Sequence, residues 1–160
     1  MPMDEGPYIT ALLCERILEE KDGVRSAVRI IDLVTRTMVG PDASPTLQPF
    51  DYPVFLLIRL KSGHVRGVYG IKVTLVKPSG ESAPILQAPV NFEGDEDRGV
   101  DIVGQIQMKV ETTGIYWFEI KLEDQGKEEL ITRLPFRVIY LPQKTPQFGG
   151  SGNPSGQTGL

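Results

Sequence analysis

Reactive side chains are scarce in this chain of 160 residues, which holds one cysteine, one histidine and one tryptophan. A lone cysteine, Cys14, excludes an intramolecular disulfide. A lone histidine, His64, suggests neither a zinc site with His/Cys spacing nor a histidine-bearing triad. Lys and Arg are not clustered and the net charge is −4, which argues against nucleic acid, because phosphate binding needs concentrated positive charge. The longest apolar run, Val54 to Ile58, is far too short to span a bilayer. The opening MPMDEGPY is acidic and lacks the apolar stretch of a secretory signal, so the expected setting is the cytoplasm. No P-loop, dinucleotide fingerprint or GxSxG elbow occurs.

What is present is a folded domain's worth of apolar residues. Hydrophobic residues make up 40% and charged residues 24%, values that suit a single soluble domain with a buried core. Most of the chain is a series of short apolar segments separated by Gly, Pro, Asp and Ser. In the segment from Val100 to Val110, Val100, Ile102, Ile106, Met108 and Val110 share one parity, with Gly104 between them. Asp101, Gln105, Gln107 and Lys109 hold the other. A period of two sorts residues this way only on a strand. The same alternation runs through Tyr116, Phe118, Ile120 and Leu122, through Leu134, Phe136, Val138 and Tyr140, and through Ile71, Val73 and Leu75. Val54 to Leu60 is apolar on both parities until Arg59, which predicts a central strand covered on both sides. Turn signals fall at Lys61 to Gly63, Pro78 to Gly80, Thr113 to Gly114 and Asp124 to Gly126. Strands with turns at this spacing predict an all-β fold, an antiparallel sandwich of about seven to eight strands.

Two regions read differently. The first forty residues fit a helix through Ile9, Leu12, Leu13 and Ile17, and equally fit a hairpin turning at Lys21-Asp22-Gly23 with β-branched flanks. Residues Pro142 to Leu160 hold five Gly, three Pro and a single charged residue, Lys144. That composition predicts a flexible tail at 142–160 behind a domain at 1–141, because so little apolar surface cannot offset ordering entropy. Val39 to Pro53, with four prolines, reads as loop.

The stretch ITALLCERILEEKDGVRSAVRIIDLVTR resembles the opening of a family of small uncharacterised bacterial proteins, and TTGIYWFEIKLEDQGKEELITRLPFRVIY resembles that family's closing hairpin. Together they cover about a third of the chain. The resemblance implies an immunoglobulin-like or C2-like sandwich with the opening segment as two strands; it implies no activity and no functional residue. Glu111 to Phe118 separately resembles the tyrosine corner of immunoglobulin-like folds, in which a Tyr hydroxyl bonds backbone upstream of its strand. Phe118 stands where antibody domains carry a cysteine, so packing alone must hold that part of the core.

Few residues invite chemistry. His64 lies in the turn KSGHVRG and reads as a turn residue. Cys14 reads as a core thiol, since free cysteine is among the most buried residue types, although it could meet His64 in space. The acidic loop 93–98, with Glu93, Asp95, Glu96, Asp97 and Arg98, carries enough carboxylates to suggest Ca²⁺, with Asp51 or Asp124 approaching from elsewhere. It is no EF-hand, because the twelfth position from Asp95 is Ile106. Trp117 and Ile115 share the parity opposite to Tyr116 and Phe118, and form either core or an anchor for a partner. Gly149-Gly150 sits in ordinary linker composition, and Pro154 removes Asn153 as a glycosylation acceptor.

No catalytic, metal or cofactor residue is assigned, and the chain is expected not to be an enzyme. The expected function is a non-catalytic protein-interaction or structural module, pairing through a sheet edge or the Trp117 face with another protein or with itself. The alternatives are a C2-like calcium-dependent domain using the loop 93–98, and an enzyme with an unrecognised site.

Overall fold

The computed structural model describes residues 5–95 and 97–143. Among them there are nine strands and no helix: β1 (Tyr8–Glu19), β2 (Arg25–Ile30), β3 (Leu33–Val39), β4 (Phe50–Lys61), β5 (Arg66–Val76), β6 (Ser82–Glu93), β7 (Gly99–Val110), β8 (Gly114–Asp124) and β9 (Lys127–Gln143). One sheet has the order β2-β1-β4-β7 and the other β3-β9-β8-β5-β6. Every pairing is antiparallel except β3 with β9.

The two sheets close over one core, and the period of two decides which side chains enter it. From Gly104 to Val110 each even residue of β7 is buried and each odd one exposed. Val54, Leu56, Ile58 and Leu60 of β4 meet Ile71 and Val73 of β5, Tyr116, Phe118 and Ile120 of β8, and Phe136 of β9, all fully buried. The Tyr52 and Phe136 rings, one from each sheet, lie 5.7 Å apart, within aromatic contact. Phe118 fills its place without a bridge, as the sequence requires.

The strand count is nine, not the expected seven to eight, and the additional strands are edges. β6 carries Pro84 and Pro89, which broke its pattern; an edge strand tolerates proline because one side of its backbone bonds nothing. β3, the other edge of that sheet, is short and mostly exposed. Pro53, expected in a loop, lies inside β4. There β1 pairs with β4 only from Phe55 onward, so β4 has a free side at Pro53. β9 runs to Gln143, past the expected start of the tail, because Pro142 and Gln143 pair with Met38 and Val39. Residues 144–160, including Gly149-Gly150 and Asn153, lie outside the described residues.

The opening segment forms strands. Its turn closes through Glu20 N–H to Val24 O (2.8 Å), with Gly23 at φ 83° and the Asp22 carboxylate accepting from Val24 N–H. β1 then does something period alone does not announce. Thr10 is opposite Arg59, which is opposite Asp101, whereas Arg25 is opposite Glu19. In a flat sheet Arg25 would lie about 30 Å along the strand direction from Asp101. Their side chains instead meet at 3.2 Å. The β1–β2 hairpin therefore folds back over the outer face of its own sheet. The bend is assigned to Glu15 and Arg29, the one pair missing from the ladder between Cys14–Ile30 and Arg16–Val28, where Arg29 takes φ 55° while the register stays unchanged. Beneath the hairpin, Leu12, Phe55 and Leu57 are half-buried and Cys14 is fully buried, although none belongs to the main core. β4 is thus covered on both faces, as its composition predicts.

Candidate interaction surfaces

β4 and β7 pair over their full lengths, Phe50 with Val110 through Lys61 with Gly99, without a bulge. The far side of β7 has no strand beside it among the described residues. A free edge offers unpaired N–H and C=O groups to any extended chain, and proteins ordinarily blunt such edges with prolines, bulges or short strands. The other three edges are blunted in those ways. β2 has six residues and the left-handed Arg29, β3 has seven residues, and β6 carries two prolines. β7 has twelve residues and no proline, with Val100 and Val103 exposed. On its inner side Gly104 accommodates Leu86 of β6, whose Cδ1 would lie 2.5 Å from a Cβ at that position.

On this strand stands a polar cluster centred on Asp101. Asp101, only 14% exposed, accepts from Arg59 Nε (3.0 Å), Arg59 Nη2 (3.1 Å) and Arg25 Nη1 (3.2 Å). The Arg59 guanidinium, with Arg25 adding to it, holds the Asp101 carboxyl below its usual range, and the carboxylate in turn raises Arg59. An open cleft of about 370 Å³ is lined by Arg25, Arg59, Lys61 and Asp101. Sequence reading marked Arg59 as the charge that interrupts an apolar strand and Asp101 as outward-facing. It had no signal for Arg25, which is 76 residues from Asp101.

The acidic loop 93–98 connects β6 to β7 at the end of this edge. Arg98 lies against both Glu93 (3.7 Å) and Asp95 (3.5 Å), and Lys61 Nζ donates to the Asp97 carbonyl at 2.8 Å. The Arg98 guanidinium thus already offsets two of the loop's carboxylates. Asp51 is opposite Lys109, toward the far end of β4 from Lys61, about 30 Å from the loop. Asp124 is the last residue of β8, two strands from β6. Neither completes a ligand set with the loop, and Glu96 lies outside the described residues.

Cys14 and His64 are not brought together. Cys14 lies six residues, about 20 Å, along β1 from the Tyr8–Lys61 pair that leads into the His64 turn. That is well beyond hydrogen-bond reach. The Cys14 thiol donates to Arg16 O at 3.4 Å, and burial raises its pKa despite backbone hydrogen bonds that act the other way. It is a protonated, enclosed thiol, the opposite of an activated nucleophile. His64 is exposed, its backbone N–H donating to Glu5 O.

Trp117 is neither core nor open anchor. It lies on the outer face of the second sheet, half-buried, with the Arg133 guanidinium 4.2 Å from the ring centroid and Arg133 Nε 3.4 Å from Glu119. Tyr116 is fully buried; its hydroxyl donates to Thr112 O at 2.8 Å and accepts from Thr112 N–H at 3.3 Å, the local geometry of a tyrosine corner. Its role is structural. No helix among the described residues is long and apolar enough to cross a membrane. No protein-family model matches the chain, and no curated protein matches it significantly.

Proposed function

We propose that this chain is a non-catalytic protein-interaction module of immunoglobulin-like or C2-like architecture, and that it binds through the free edge of β7. The observation that carries this reading is the contrast among the four sheet edges: three are blunted, and the longest bulge-free one is open. An extended segment laid along β7 would gain main-chain hydrogen bonds, with Val100, Val103, Gln105 and Gln107 supplying side-chain selectivity. The enclosed thiol, distant from the only histidine, and the acidic loop offset by Arg98 favour this reading over an enzyme or a calcium-dependent domain.

The experiment is capture from extracts of cells that make the protein, comparing the native chain with a variant carrying Val103→Lys and Gln107→Lys. Both positions are exposed, so the variant is expected to keep the fold, which circular dichroism checks, and lysine is a natural deterrent to edge pairing. A specific partner lost by the variant supports the reading. A partner retained equally by both chains removes it.

A further inference from the structure

We propose that the partner of β7 is a second copy of the chain, the two β7 strands pairing antiparallel about a two-fold axis beside Gln105 to form one eight-stranded sheet. The proposal rests on the reading of β7 as a binding edge and names the occupant.

The register follows from parity and charge. Residues directly opposite in an antiparallel pair lie on the same face of the sheet. In β7 the even positions share the core side of the sheet, fully buried from Gly104 to Val110, and the odd positions share the outer side. A two-fold pairing must therefore set odd against odd, and only two such registers overlap nearly the whole strand: Gly104 on itself, or Gln105 on itself. Centred on Gly104, the pairing sets Asp101 against Gln107 of the partner subunit and Lys109 against Gly99 of the partner subunit, leaving both charges unmatched. Centred on Gln105, it sets Asp101 against Lys109 of the partner subunit.

That second register completes a row. Within one chain Arg59 is opposite Asp101, and Asp51 is opposite Lys109. Joined at Gln105, the outer face reads Arg59, Asp101, Lys109 of the partner subunit, Asp51 of the partner subunit: charges alternate across four strands, and the symmetry repeats the row. On the inner parity, Val100, Ile102 and Gly104 meet Val110, Met108 and Ile106 of the partner subunit, apolar against apolar throughout. An isologous contact of this kind closes on itself and leaves the joined sheet ending in the short, interrupted β2 at both sides. The least blunted pairing edge is thereby consumed.

Sedimentation equilibrium on the full chain tests the assembly and cysteine cross-linking tests the register. The expected mass is twice that of the chain. Gln105→Cys is expected to form a disulfide dimer under mild oxidation, because the two thiols face each other across the axis. Gln107→Cys is expected to react at least about tenfold more slowly, since its thiols would lie about 14 Å apart, beyond disulfide reach. Cys14, fully buried, stays out of the reaction. A chain that remains monomeric to about 1 mM, the weak limit of specific association, overturns the proposal. So does a dimer in which Gln105→Cys links no faster than Gln107→Cys. A monomer whose captured partner is still lost on Val103→Lys and Gln107→Lys refutes only self-pairing. A partner retained by that variant refutes the edge reading itself.

Discussion

Asp101→Asn is the most informative single substitution, because one carboxylate holds both β4 and the folded-back hairpin. The change keeps shape and one acceptor oxygen but removes the charge that Arg59 and Arg25 share. Fully exposed ion pairs contribute about 0.2–1 kcal/mol, and hydrogen bonds to charged groups about 1.5–3. Asp101 is 14% exposed, but Arg59 is 55% and Arg25 31% exposed, so solvent screening pulls the loss toward the lower range. A loss of about 1–2 kcal/mol is expected, which for a domain of this size lowers Tm by about 3–8 °C. The loss is expected to be uneven. Residues 15–30 are held over the sheet by Arg25 and by a small apolar layer, so their amides are expected to exchange faster than those of β8 and β9. The pH dependence follows from the lowered carboxyl pKa of the folded state. Such a group contributes stability that is complete above its unfolded value, near 4, and is lost as pH falls through the folded value. The gap between native chain and variant is therefore expected to be constant from about pH 7 to 5 and to shrink below about 4. Hydrogen exchange followed by mass spectrometry, with thermal melts across pH, reads both effects. Unchanged protection over 15–30, or a gap that widens in acid, would refute the hold of Asp101 on the hairpin.

Other expectations concern single contacts. Tyr116→Phe removes a hydroxyl bonded to both backbone groups of Thr112 and is expected to cost about 1–2 kcal/mol in urea denaturation; a neutral change would mean that water replaces the contact freely. Gly104→Ala drives a methyl against the end of the half-buried Leu86 side chain, which can turn aside, and is expected to destabilise by about 1 kcal/mol or less, with that loss absent in a Leu86→Ala background; additive effects in a double-mutant cycle would deny the contact. Cys14 is expected to resist a water-soluble thiol reagent until the hairpin opens, so Arg25→Ala should speed its labelling; equal rates in both chains would separate the thiol from the hairpin. Because burial raises the Cys14 pKa, the unfolded chain ionises first, and native stability is expected to fall as pH rises past about 8.5, an effect that Cys14→Ala removes.

Alternation made much of the fold legible, and its limits are equally physical. β7, β8 and the inner face of β4 each bury one parity against a single core, so their patterns are clean. The bonding of the Tyr116 hydroxyl to upstream backbone was legible because its partners are four residues apart. β6 was hidden because an edge strand accommodates Pro84 and Pro89, which the rules for central strands forbid. The opening segment was ambiguous because Leu12, half-buried, and Cys14, fully buried, lie outside the main core while Ile9, Ala11 and Leu13 pack into it. A strand that buries one face and part of the other loses its period of two and begins to resemble a helix. The Arg25–Asp101 contact could not be read at all, since it depends on a bend at Glu15 and Arg29 that no residue there announces.

That bend bears on the open edge. By folding back, the hairpin covers Leu12, Phe55 and Leu57, which an open outer face would expose as an apolar patch beside β7. Covering the face while leaving the edge free separates two kinds of adhesion. An apolar face attracts many partners without register, whereas a strand edge accepts only an extended chain whose side chains fit in sequence. The Arg25–Asp101–Arg59 cluster sits where the two meet, fixing the cover and setting the charge at one end of β7. If β7 pairs as proposed, loosening the cluster by Asp101→Asn is expected to exchange selective for unselective association: more apolar dye bound and weaker, less specific pairing along β7. Dye binding and sedimentation measured on the same variant decide this. If added dye binding came with undiminished β7 pairing, the cluster would serve the hairpin alone.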